Sequence, residues 1–186
     1  MADGGLAVYG VVAAAVVFPT LLAAGCWHVF HTGTFARVLA LHGWPARLSR
    51  PGSVLLAVTE VGLGATGVVG VAFAGVHPAV AVAAALLCAA YAVDAARILR
   101  SGAPGGRGPD VPCGCGAVDH PVNVWVAVRA TAYACLAVVA AVAGQTVGAL
   151  APAAAAMAAG AAMVIGLLLW LLPRTLAIPP GYTLQP

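Results

Sequence analysis

The sequence predicts an all-α fold: a polytopic membrane helix bundle of about five transmembrane helices (a four-helix core plus one), with a short interfacial amphipathic helix. Three observations predict it. Hydrophobic residues make up 63% of the 186 and charged residues 7%, against roughly 45–50% and 25% in soluble domains. Apolar stretches long enough to cross a bilayer recur along the chain. The basic residues, eight arginines and no lysine, fall almost entirely into alternate connections. A chain this poor in polar groups cannot cover its surface in water. A soluble enzyme, a nucleic-acid binder and a disordered segment are therefore excluded, and the lipid membrane is the first partner.

A membrane helix needs about 20 mostly apolar residues. The expected spans are 6–29, 54–74, 78–96, 122–143 and 152–172, within one integral membrane domain covering 1–186. Only Gly144, Gln145, Thr146, Gly148 and Pro152 mark a break between the last two. In the second span, Gly62, Gly64, Gly67 and Gly70 are the small residues that let helix backbones approach closely. Leu22-Ala23-Ala24-Gly25-Cys26 loosely resembles a lipoprotein cleavage box. A signal peptide opens on positive residues, whereas the charge before this apolar run is Asp3. The first span is expected to be retained.

Between the first two spans, Phe35, Val38, Leu39 and His42 repeat at i, i+3, i+4 and i+7, with Arg37 off that stripe. This is the spacing of a helix lying in the interface. Gly43, Pro45 and then Pro51-Gly52 should end it and prepare the second span. With five spans, Arg37, Arg47, Arg50, Arg97, Arg100, Arg107 and Arg174, seven of the eight arginines, fall on one side. The positive-inside rule puts that side in the cytoplasm and the N-terminus outside, in a bacterial cytoplasmic (inner) membrane.

Three charges fall inside the spans. Glu60, Asp94 and Arg129 each lie about five to seven residues from the arginine side, roughly 8–10 Å deep at about 1.5 Å per residue. A charge at that depth is costly unless partnered, and such groups are functional candidates. Arg129 is expected to pair with Glu60, Asp94 or both, as a staple across three helices, a cofactor or proton site, or both at once.

The connection 100–121 is rich in Gly and Pro and carries Pro112-Cys113-Gly114-Cys115-Gly116 and Asp119-His120. Two thiols separated by one glycine can close a strained disulfide, which is correspondingly oxidising. Arg107 and His120 nearby would favour the reactive thiolate. Two other readings compete. Cys113, Cys115 and His120, with Cys26 or His28 from the first span, would form a zinc or copper site, or the segment is a structural turn without chemistry. No residue is assigned as a metal ligand. Cys88 and Cys135 sit mid-span among alanines and valines and read as packing. Cys26, near His28 and His31 at the end of the first span, is an accessory candidate.

The chain resembles the MauE family of methylamine-utilisation membrane proteins, within the wider DoxX-like group. The resemblance runs from about Leu21 to Ala143. It rests on Phe35-Ala36-Arg37-Val38-Leu39 with Trp44-Pro45, on Thr59-Glu60-Val61-Gly62-Leu63-Gly64, and above all on Val111-Pro112-Cys113-Gly114-Cys115-Gly116, followed by Trp125 and Arg129. The family usually has Cys-Gly-Cys-Phe-Gly and Arg-Asn where Gly116-Ala117 and Arg129-Ala130 stand here. The resemblance implies a role in maturing methylamine dehydrogenase, a periplasmic enzyme with many disulfides, beside a thioredoxin-like partner. It also implies likeness to four-helix membrane thiol oxidases that pass electrons to quinone.

The expectation is thus a redox-associated membrane protein, an oxidoreductase if the dithiol turns over, with Cys113 and Cys115 as the exchanging pair. Glu60, Asp94 and Arg129 would organise the bundle beneath them, with Cys26, His28, His120 and Trp125 as accessories. No motif fixes a cofactor; a quinone is the candidate that the redox reading brings with it. The alternative is a non-enzymatic assembly scaffold or a metal-binding carrier using Cys-Gly-Cys as a ligand pair. The arginine count puts the cysteine segment in the cytoplasm, while the resemblance implies exchange in the periplasm.

Overall fold

The computed structural model describes residues 3–101, 112–113, 122–143 and 150–175. The elements are α1 (Asp3–Phe30), α2 (Thr32–Leu41), α3 (Ala46–Val69) continued by a π-helical turn (Gly70–Ala74), α4 (Pro78–Arg100), α5 (Val124–Ala143) and α6 (Pro152–Thr175). Five are long and apolar enough to cross a membrane: Leu6–Phe30, Ala46–Ala74, Pro78–Arg100, Val124–Ala143 and Pro152–Leu171. The protein is an all-α polytopic bundle with one short additional helix, α2, and no strand element lies among the described residues.

Helix α1 is the central rod. It packs against α3, α5 and α6, while α4 pairs with α5. The core is built from small and β-branched side chains, among them Val17, Ala81, Ala84, Ala137 and Ala140, with Phe18 as its one large ring of negligible exposure. Alanine faces bring the backbones close, so contact comes from backbone and Cβ atoms rather than long side chains. Helix α6 lies on α1 and α5 and buries the smallest share of its length. The arrangement is four helices plus a peripheral fifth.

The second span starts earlier than expected. Arg47, Arg50 and Pro51 argued for a start at 54, yet α3 begins at Ala46 with Pro45 as its N-cap. The hydroxyls of Ser49 and Ser53 donate to the carbonyls of Ala46 (2.9 Å) and Arg50 (2.8 Å) within these first turns. Pro51 removes one backbone bond but does not end the helix, because this end is at the polar surface, where water can satisfy the freed carbonyl. Arg47 and Arg50 are exposed there. Before it, Gly43 takes φ 93°, a left-handed turn open to glycine, and the Trp44 indole rests on Gly52. At the other end Gly75 (φ 85°) closes the π-helical turn with its N–H on the Gly70 carbonyl, 2.7 Å. Pro78 then opens α4, and His77 Nδ1 accepts the Ala79 N–H at 3.2 Å.

The expected glycine stripe divides by face. A Cβ on Gly64 would overlap the Leu22 backbone, and one on Gly67 the Phe18 ring. From α1, a Cβ on Gly25 would meet the Val61 backbone at 2.7 Å. Gly70 faces the closing turn instead, and Gly62 faces open space. The α1–α3 contact is therefore set by Gly25, Gly64 and Gly67. Gly64→Ala is expected to cost about 1–3 kcal/mol by overpacking, read as a lower melting temperature in detergent, with Gly62→Ala unchanged. Equal losses in both variants would refute the close approach.

Candidate functional site

The bundle encloses a cavity of about 810 Å³. Its walls are largely apolar, drawn mainly from α1, α4, α5 and α6, and its polar groups gather where α1, α4 and α6 end and α5 begins. His28, His42, Glu60, Tyr91, Asp94, Cys113 and Arg129 all line it. Helices that alternate in direction bring these distant residues to one end.

Glu60 is only 1% exposed, a carboxyl group inside a bundle whose solvent is lipid. Burying it unpartnered would be prohibitive, and two donors hold it. His28 Nδ1 lies 2.5 Å from Oε2, and the Tyr91 hydroxyl donates to Oε1 at 2.7 Å. Phe35 from α2 stacks on the His28 ring, centroids 3.9 Å apart and planes 7° apart, which aims Nδ1 at the carboxylate. The apolar stripe of α2 thus orients an imidazole in α1.

Asp94 is held from the same interfacial helix. His42, just beyond the end of α2, places Nδ1 2.6 Å from Asp94 Oδ2 and Nε2 3.0 Å from the Pro112 carbonyl. Both neighbours are acceptors when Asp94 is ionised, so both ring nitrogens must donate, and His42 is an imidazolium. Burial by itself lowers the His42 pKa. The hydrogen bonds to Asp94 and Pro112 and the Asp94 charge outweigh it and raise the pKa above 6.5. The carbonyl so held belongs to the peptide bond entering Cys113.

Cys113 is disulfide-bonded, whereas Cys26, Cys88 and Cys135 are free thiols. It packs on a small apolar cluster of Ala95 and Ile98 from α4 with Val122 and Val126. Arg129 Nη2 lies 3.9 Å from its sulfur. Asn123 starts α5 beneath Arg129, its Oδ1 accepting the N–H groups of Trp125 (3.0 Å) and Val126 (3.2 Å).

The expected partners of the buried charges need correction. Glu60, Asp94 and Arg129 do share one cavity, but the ion pairs among the described residues join Glu60 to His28 and Asp94 to His42. Arg129 enters neither. The partners are histidines, His28 in α1 and His42 just beyond α2, residues that a count of permanent charges leaves out. Of the accessory candidates, His28 lines the cavity, while Cys26 and Trp125 do not. Cys115 and His120 lie outside the described residues. Among the described residues, no three potential metal ligands gather. His42, Tyr91 and Trp170 also line the cavity. The sequence singled out His42 only as a member of an apolar stripe, and a polar residue on such a stripe was the available signal.

A model of the family described as methylamine utilisation protein MauE matches residues 6–143, 138 of the 186. No curated protein and no solved structure matches the chain.

The His42 clamp has a pH signature. A raised pKa in the folded protein adds stability that is complete below the free value of 6.5 and is lost as pH rises through the higher folded value. Neutral imidazole has one N–H for two acceptors, so one bond is given up. The melting-temperature gap between the protein and His42→Gln is expected to be full below pH 6.5 and to narrow in mild alkali. A gap that widens with pH would refute the clamp.

Proposed function

This chain belongs to the MauE family of methylamine-utilisation membrane proteins, and from that premise we propose that it exchanges disulfides through Cys113 and Cys115. The observation that carries this reading is a disulfide-bonded Cys113 set against a guanidinium at the polar end of a membrane cavity. Three of the five cysteines are free, and Cys115 is the partner we assign to Cys113.

The exchange runs in two displacements. A thiolate of a client dithiol attacks one sulfur of the pair, forming a mixed disulfide and releasing the other sulfur as a thiolate. The client's second thiolate then displaces the remaining sulfur, leaving the client oxidised and the pair reduced by two electrons and two protons. Arg129 stabilises the thiolate that Cys113 becomes. His42 and Asp94 are positioning residues, because they hold the Pro112 carbonyl rather than the sulfur. The clients this reading favours are methylamine dehydrogenase subunits or a related periplasmic protein, with a thioredoxin-like protein as the intermediary. The membrane is the bacterial inner membrane.

Sidedness and chemistry are tested together. An impermeant alkylating reagent, applied to intact cells before and after reduction, is expected to label Cys113 and Cys115 only after reduction and from the periplasmic face. Labelling confined to the cytoplasmic face would support the orientation that the arginines predict, with the N-terminus outside, and would rule out direct periplasmic exchange. Cys113→Ser and Cys115→Ser should each abolish client oxidation; unchanged client oxidation in both would end the redox reading. Arg129→Met is expected to slow alkylation of reduced Cys113 at neutral pH about tenfold, the effect of one unit in thiol pKa.

A further inference from the structure

We infer that the arginine-bearing rim of the bundle is a docking surface for anionic phospholipid headgroups, a partner on which the exchange chemistry does not call. The rim is built from three helices. Arg37 comes from α2, Arg47 and Arg50 from the first two turns of α3, and Arg97 and Arg100 from the last turn of α4. Helix α2 packs on α3, and the His42–Asp94 pair ties the end of α2 to α4, so all three contribute to one end of the molecule. Every one of these arginines is exposed.

The first feature is uncompensated charge. Among the described residues, Arg47, Arg50, Arg97 and Arg100 form no ion pair, and Arg37 meets the neutral Thr34 hydroxyl, 3.3 Å away. The carboxylates near this end, Glu60 and Asp94, face the cavity and are matched to His28 and His42. The guanidiniums therefore share one rim with no described protein anion to balance them. Each offers a planar fork of donors that two phosphate oxygens can accept. Clusters of four or more basic side chains at a membrane surface attract anionic headgroups in this way.

The second feature selects lipid over a soluble acidic partner. Leu48 is exposed between Arg47 and Arg50, and Leu99 between Arg97 and Arg100. Phe30 at the end of α1, Leu41 at the end of α2 and Trp44 in the elbow are exposed at the same end. Apolar and cationic groups alternate here as they do where hydrocarbon meets headgroups. Leucines and rings stay among the tails at that boundary, while guanidiniums reach up to phosphate. A soluble acidic segment or free phosphate would answer the charges alone. A phospholipid answers both sets, with its phosphate on the arginines and its acyl chains along the leucines.

The test titrates delipidated protein in dodecyl maltoside with phosphatidylglycerol and, separately, with phosphatidylcholine. Phosphatidylglycerol should raise the melting temperature saturably and stay bound in native mass spectrometry, and phosphatidylcholine should do neither. Arg47→Gln with Arg50→Gln, and Arg97→Gln with Arg100→Gln, should each weaken phosphatidylglycerol binding about thirtyfold, the loss of two charges at the membrane surface. Without lipid, both double variants should melt with the parent protein, because these guanidiniums hold no described part of the fold. Raising the salt should weaken binding to the parent protein. Equal retention of the two lipids, binding indifferent to salt, or phosphatidylglycerol binding unchanged in both double variants would overturn the inference. So would equal stabilisation by polyglutamate or glycerol phosphate at matched charge, which would give the rim to an acidic protein or to phosphate free in water.

Discussion

Everything at the polar end of this bundle follows from keeping one carboxyl group, that of Glu60, where water does not reach. Glu60, 1% exposed, cannot remain as a carboxylate in a lipid-solvated core without donors. Those donors come from α1 and α4, His28 and Tyr91, so one side chain of α3 fixes the mutual placement of three helices. Breaking such a buried set by removing one partner typically costs about 3–5 kcal/mol, more than any single alanine contact in this core supplies. The glycines at 25, 64 and 67 serve the same end, because only a close α1–α3 approach lets a His28 imidazole reach Glu60. Packing and electrostatics here are one arrangement.

The interfacial helix links that arrangement to the cysteine segment. Its apolar stripe seats Phe35, Val38 and Leu39 in the bundle, and two ring contacts follow. Phe35 stacks on His28, and His42 stands between Asp94 and the Pro112 carbonyl. A helix of 10 residues thus touches both carboxylate sites and the backbone beside the sulfur. The elbow after it, made by Gly43 and by Trp44 against Gly52, sets its angle to α3.

The sequence made some of this legible and hid the rest, for physical reasons. Hydropathy and length located all five spans, because a bilayer imposes one requirement on every crossing segment. Glu60, Asp94 and Arg129 stood out since ionisable groups are rare in such segments, and they do share one cavity. Their partners did not stand out. Histidine carries no permanent charge, and nothing in the local spacing of His28 or His42 shows that the one reaches α3 and the other α4. The start of α3 was missed because Pro51 and two arginines resemble a boundary, although a membrane helix can extend past the hydrocarbon into the headgroup layer. Two of the four glycines chosen for close packing between helices face elsewhere, since spacing gives a face but not its neighbour.

Helix α6 lies beyond residues 6–143, the part that matches the family, yet Ala159, Ala162, Met163, Gly166, Leu167 and Trp170 wall the cavity. The sulfur, its cation and the histidine-held acids all lie on the other elements. Divergence confined to one loosely packed rod can therefore remodel the chamber's apolar wall and leave its polar end untouched. The apolar wall of the chamber and its polar end are, in this architecture, separately heritable.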